Sequence, residues 1–245
     1  MSSAVVWALS VAVVALQIPY PLVHGDARDV LTIATVAVFA AASLAHAATS
    51  YGVRYAAALL VVVGLGGFLV EVLGVHTGVP FGRYHYRDDL GVSVWGVPLV
   101  IPLAWVMMAH PARIVARRLT SSPWALVAVA AVALASWDVF LDPQMVSAGH
   151  WQWSDLRPHL PGVADVPLSN FGGWLLVSLL LMLLVQAVTA ERRSRHDSAP
   201  LALWVWTWLS STLANLAFFH RPAVAAWGFV AMGLVGVPLL RQLRA

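Results

Sequence analysis

Apolar runs long enough to cross a bilayer follow one another along almost the whole of this chain, and they leave it a narrow choice of fold. About 20 consecutive apolar residues span the hydrocarbon as a helix. No water reaches the backbone there, so each span must satisfy its own N–H and C=O groups. The 245 residues are 60% hydrophobic and only 10% charged, whereas a water-soluble domain carries about 25% charge. The expected fold is an all-α polytopic membrane helical bundle, one integral membrane domain over 1–245. About eight transmembrane helices are expected, with seven as the other count.

The eight spans are read at about 4–20, 30–48, 55–75, 94–110, 123–142, 170–190, 200–219 and 222–241. Breakers separate them: Pro19 with Pro21, Ser50-Tyr51-Gly52, Pro80 with Gly82, Pro111, Pro123, Pro143, the 191–200 run and Pro222. The first segment lacks a basic leader and a small-residue cleavage site, so it is expected to be a retained helix. Pro98 and Pro102 predict a short, kinked fourth span.

Charge sets the orientation. All 14 basic residues are Arg, and there is no Cys, which excludes disulfides and thiolate chemistry. With both termini cytoplasmic, nine arginines fall inside: Arg54, Arg113, Arg117, Arg118, Arg192, Arg193, Arg195, Arg241 and Arg244. Five fall outside: Arg28, Arg83, Arg87, Arg157 and Arg221. Positive charge favours the cytoplasm, so this arrangement is preferred, in a cytoplasmic (plasma) membrane. Scattered arginines with a net charge of +3 act as orientation signals, and no nucleic-acid partner is expected. Nine of the eleven acidic residues then lie on the outer side, with only Glu191 and Asp197 inside. The two longest connections, 76–93 and 143–169, are outer as well, which places the candidate site towards the outer face.

An ionisable side chain in hydrocarbon costs at least ~2.5 kcal/mol, so those that persist have a partner, water or a task. Asp138 and Asp142 are four apart and share a helix face. Two carboxyls so close in a low-dielectric setting do not both ionise easily, and a carboxylic acid that keeps its proton suits a general acid. The bland alternative is a loop cap or a pair with Arg83, Arg87 or Arg157. Glu71 stands among Gly, Leu and Val, with Gly64, Gly67 and Gly74 on roughly its face. Small residues there let another helix or a substrate approach; a structural hydrogen bond is the alternative. The alternation Phe81-Gly82-Arg83-Tyr84-His85-Tyr86 predicts an extended segment with Tyr84 and Tyr86 on one face. They order water, donate to a carboxylate, or anchor the interface. Trp137 adjoins Asp138, Trp151 and Trp153 flank Gln152 in the next connection, and Trp95 opens span four; an indole face there stabilises a cation or forms an interfacial belt. Ser169 or Asn170 is an N-cap candidate for span six. No HExxH, histidine box or phosphate loop is present, so no metal and no cofactor are expected.

Several blocks together resemble the carotenoid biosynthesis membrane protein family of CruF-type carotenoid 1,2-hydratases. They are Glu71, the run Thr77 to Tyr86, Leu90-Gly91, Gly96-Val97-Pro98, Pro102 and Trp105. Asp138 to Pro143, Gly149 to Trp153 and Pro167 to Trp174 follow in order, so the resemblance covers about 60–185. It implies addition of water across the terminal 1,2 double bond of a linear carotenoid end group, as on bisanhydrobacterioruberin or monocyclic carotenes. The expected partners are a linear carotenoid, water, the lipid bilayer and other carotenoid-pathway membrane enzymes.

Chemistry supplies the roles. Hydrating such an olefin needs a positioned acid, a site that tolerates a tertiary cation, and a base for the attacking water. Asp138 or Asp142 is the expected acid, with Glu71 or the other Asp as base. Tyr84, Tyr86, Trp137 and Trp151 are expected to line the pocket. Arg83, His85, Trp95, Trp153 and Asn170 are further substrate-binding candidates. A polytopic Mg-dependent prenyltransferase is the main rival, because Asp138-x-x-x-Asp142 resembles one of its acidic motifs; its second motif and any Lys are missing. A non-catalytic carotenoid-binding membrane protein is the other.

Overall fold

The computed structural model describes residues 3–189 and 196–244. Glu191, Arg192, Arg193 and Arg195, used above for orientation, lie outside the described residues. Within them the helices are α1 (Ser3–Gln17), α2 (Asp26–His46), α3 (Val53–Ala58), α4 (Gly66–Thr77), α5 (Val100–Leu119), α6 (Pro123–Ala148), α7 (Leu168–Val188), α8 (Ser198–Ala217) and α9 (Pro222–Arg244). A π-helical turn, Ala47–Tyr51, extends α2, and a π-helical stretch, Leu59–Leu65, joins α3 to α4 as one rod. The described residues thus form eight long helical segments. Six of these are long and apolar enough to cross a membrane; α5 and α8 are the two that are not. The protein is an all-α, polytopic helical bundle.

The least apolar helix lies deepest. α5 carries His110, Arg113, Arg117 and Arg118, yet nearly every residue from Ala104 to Ala116 is buried, packed between α2 and α6. Protein surrounds it, so its polar groups find partners: Arg113 donates to Gln186 at 2.5 Å. α7 shows the opposite, exposing Leu176, Leu180 and Leu184, the face a lipid-contacting helix presents.

Two prolines expected to break helices do not. Pro111 lies within α5 and Pro143 within α6. A proline removes the hydrogen bond to the carbonyl four residues back. For Pro111 that is the carbonyl of Met107, and Ser43 of α2 donates to it instead, at 2.8 Å. Helix α5 therefore continues to Leu119, and α6 continues to Ala148, where Gly149 ends it in a left-handed conformation (φ 89°). The start of the fourth span also moves. Trp95 and Gly96 both have positive φ (51° and 80°), the requirement of a tight hairpin turn, and join β2 (Ser93–Val94) to β3 (Val97–Pro98). The helix begins only at Val100.

The two long connections fold over one end of the bundle. From the first, β1 (Tyr84–Tyr86) pairs antiparallel with β4 (Trp151–Trp153) of the second, Tyr84 opposite Trp153 and Tyr86 opposite Trp151. A hairpin of β5 (His159–Leu160) and β6 (Val163–Pro167) follows. Arg221 ties this end together by donating to the Pro143 carbonyl and the Asp165 carboxylate. The buried ring of His150 stands between Asp89 (Nδ1–Oδ1 3.2 Å) and Asp29 (Nε2–Oδ1 3.8 Å). At the opposite end His46 Nδ1 lies 2.9 Å from His110 Nε2, and Tyr51 donates to Asp197.

Candidate active site

Glu71 is 4% exposed, and both its carboxylate oxygens are occupied. Oε2 accepts from the hydroxyls of Tyr84 and Tyr86, the latter at 2.8 Å, while Oε1 accepts from Trp105 Nε1 at 3.0 Å. Three donors and no donation outward is the environment of an anion. The glycine face read from the sequence makes this possible. A Cβ on Gly67 would lie 2.9 Å from the Trp105 ring, and one on Gly74 would lie 2.8 Å from the Tyr84 hydroxyl. The small residues seat two of the three side chains that hold Glu71. Gly74→Ala is accordingly expected to push Tyr84 off Glu71 and lower activity about tenfold or more, since one charged hydrogen bond contributes ~1.5–3 kcal/mol. Product formation per inserted protein measures this.

The β1–β4 ladder turns Tyr84 and Tyr86 inward with Trp151 and Trp153, and leaves His85 exposed. Burial first, and then the Glu71 charge, push both tyrosine phenols well above their ordinary range. They remain O–H donors at any physiological pH.

Asp138 and Asp142 are joined by one side chain. Asn170 Nδ2 donates to Asp138 Oδ2 at 2.8 Å and to Asp142 Oδ2. Asp142 Oδ1 also accepts from Trp151 Nε1 at 3.1 Å. The helix spacing of four brings the carboxyls to one face, as expected. Asn170 does not cap its helix: α7 begins at Leu168 without a side-chain cap. Nor does Arg83, Arg87 or Arg157 form an ion pair with either aspartate among the described residues.

These groups border a cavity of about 350 Å³. Glu71, Asp142 and Asn170 line it, while Asp138, fully buried, stands behind Asp142 and does not. Aromatic rings form much of the wall. Trp105 and Trp174 stack at 3.9 Å, and Trp137 meets Trp174 edge-on at 6.1 Å. Tyr86 meets Trp151 at 5.4 Å, linking the Glu71 cluster to the ring that holds Asp142. Between α1 and α8 the cavity reaches the surface, where lining residues Ile18 and Leu213 are each 60% exposed.

A buried acid cluster beside an aromatic cavity inside a membrane bundle suits an apolar ligand. The sequence model of the carotenoid biosynthesis protein family matches residues 29–235. The chain belongs to that family. Bisanhydrobacterioruberin hydratase of Haloarcula japonica is 31% identical over 137 residues, covering 54% of this chain and 45% of that relative. The chain thus spans about half the length of the curated relative it matches. No solved structure matches.

Of the sequence candidates, Tyr84, Tyr86, Trp137, Trp151, Trp153 and Asn170 line the family member's cavity together with Glu71 and Asp142. Three stand elsewhere. Arg83 and His85 are exposed, Arg83 in a shallow surface recess with Asp155 and Arg157. Trp95 is 65% exposed and stacks on Phe68. Sequence reasoning gave no role to Trp105 and Trp174, although both lie in the blocks that carry the resemblance. The hydroxyl-bearing part of α8 escaped it too; its signal was the run Ser210-Ser211-Thr212 in an otherwise apolar span. Among the described residues no three His, Asp or Glu side chains converge as a metal-binding group.

Proposed function

We propose that the protein is a carotenoid hydratase that adds water across the terminal double bond of a linear carotenoid end group. The observation that carries this reading is the placement of two carboxyl sites, Glu71 and Asp142, on one aromatic cavity open to the surface between α1 and α8. The name of the Haloarcula japonica relative supports it.

Asp142 is the acid. It faces the cavity, and Asp138 behind it shares the Asn170 amide, so the pair carries one proton between two carboxyls. That proton goes to the less substituted olefinic carbon, and the π electrons form the new C–H bond. The tertiary cation left behind lies among indole faces and near the Glu71 anion. A water oxygen then forms the C–O bond. Its surplus proton passes to a carboxylate, Glu71 or the emptied aspartate, and returns to the pair through solvent. Atoms and charge balance with water as the only co-reactant, and no cofactor takes part. The polyene runs out between α1 and α8 towards lipid. The protein lies in the cytoplasmic membrane with both termini cytoplasmic and this site towards the outer face, as the arginine bias favours.

The test is expression in cells making acyclic and monocyclic carotenes. The expected product has gained the mass of one water at one or both ends, seen by chromatography with mass spectrometry. Unchanged carotenes across the panel would sink the reading. A gain of a prenyl unit dependent on Mg²⁺ and a prenyl diphosphate would favour the transferase instead.

A further inference from the structure

Hydroxyl groups on membrane helices commonly satisfy themselves on the carbonyl one turn earlier, and here Ser10, Thr49, Thr207 and Thr212 do so at 2.8–2.9 Å. Three that line the cavity do not. Thr35 of α2 is 7% exposed, and its Oγ1 is buried without a hydrogen-bond partner among the described residues. Ser210 and Ser211 of α8, half-buried, also make no side-chain hydrogen bond to a described residue. Beside them, Gln17 of α1 is held by Trp206 Nε1 at 2.7 Å, keeping a polar amide on the same wall.

A buried hydroxyl without a partner costs about 1–3 kcal/mol. Thr35 is such a group, and together with the two half-buried serines on the same cavity it meets the condition for a held water, two to four polar groups in a space large enough to contain it. The acids that line the cavity do not need them, because Glu71 is satisfied by aromatic donors and Asp142 by Asn170 and Trp151; Asp138 Oδ1, buried without a partner among the described residues, belongs to the aspartate that does not line the cavity.

We infer that Thr35, Ser210 and Ser211 form the site that admits and holds the reacting water, on the cavity wall built by α1, α2 and α8. This rests on the hydratase reading and divides its chemistry: carboxyls make the cation, and the hydroxyl wall supplies what captures it. Water held there by neutral groups keeps its nucleophilic lone pair free and stays clear of the acid's proton. A cation that finds no water loses a proton and returns to olefin, so the two halves are separable by experiment.

The test uses membranes containing the full chain, a linear carotene and deuterated water. Wild type should give alcohol carrying one deuterium on the carbon beside the carbinol. The variant Thr35→Val with Ser210→Ala and Ser211→Ala should make about tenfold less alcohol or lower, while recovered carotene gains deuterium at the terminal olefin. Thr35→Ser, which keeps the hydroxyl, should retain wild-type yield. Undiminished alcohol from the triple variant would overturn the assignment, as would a parallel fall of alcohol and deuterium. A loss confined to carotenes that already bear a hydroxyl would also overturn it, by assigning the wall to a substrate hydroxyl. If wild type yields neither alcohol nor deuterated carotene, it is the hydratase reading that fails.

Discussion

Asp142→Asn is expected to reduce hydrated carotenoid to background while the protein still folds and inserts. General acids contribute about 10²–10⁴-fold, and no other carboxyl bordering the cavity is placed to donate. Asparagine preserves shape: its carbonyl can accept from Trp151, while its amide replaces the oxygen that accepts from Asn170 and must turn its hydrogens to Asp138, so one hydrogen bond is lost and folding has to be checked. The measurement is product per inserted protein, with elution and thermal melting in detergent as the check on folding. Asp138→Asn should cost less, because Asp138 stands behind Asp142 and touches no cavity space. The reverse order of effects would exchange their roles, and full activity in both would remove the acid from this pair.

Glu71→Gln should be the second severe change, for a different reason. Tyr84, Tyr86 and Trp105 all point donors at this carboxylate. An amide there accepts on one atom only and aims its own hydrogens at the remaining donors. Leaving one of them unsatisfied costs about 1–3 kcal/mol, and loss of the anion withdraws support from the cation, about 10²–10³-fold by analogy with other charge-stabilising groups. Tyr84→Phe separates the effects, since it removes one donor and keeps the charge. The expected order of activity is wild type, then Tyr84→Phe, then Glu71→Gln. Equal activity in Tyr84→Phe and Glu71→Gln would show that Glu71 acts through packing alone.

The chemistry that is legible in the sequence is local chemistry. A spacing of four put Asp138 and Asp142 on one helix face, and a period of two put Tyr84 and Tyr86 on one side of a strand. Gly64, Gly67 and Gly74 announced a face where something comes close, without saying what. The structure shows Trp105 and Tyr84 there, from a helix and a strand distant in sequence. Three candidates drawn from the same blocks, Arg83, His85 and Trp95, turn outward. The parity of a ladder and the φ of a turn decide that, and both depend on which segments pair.

Helix ends show the same division. Pro111 and Pro143 read as stops because the proline ring removes a hydrogen bond within its own helix. Ser43, sixty-four residues before Met107, makes up that loss for Pro111, and no local pattern foretells it. By itself the sequence determined that this chain is a membrane-embedded helical bundle, since apolar length and backbone hydrogen bonding within lipid allow little else. It also set Asp138 and Asp142 on one helix face and left Glu71 alone among apolar residues. Only the tertiary structure decided that Glu71 is held by three donors, that Asp142 rather than Asp138 meets the cavity, and that hydroxyls of α2 and α8 share its wall. Those are contacts between distant segments, set by how helices pack and strands pair rather than by what stands next in the chain.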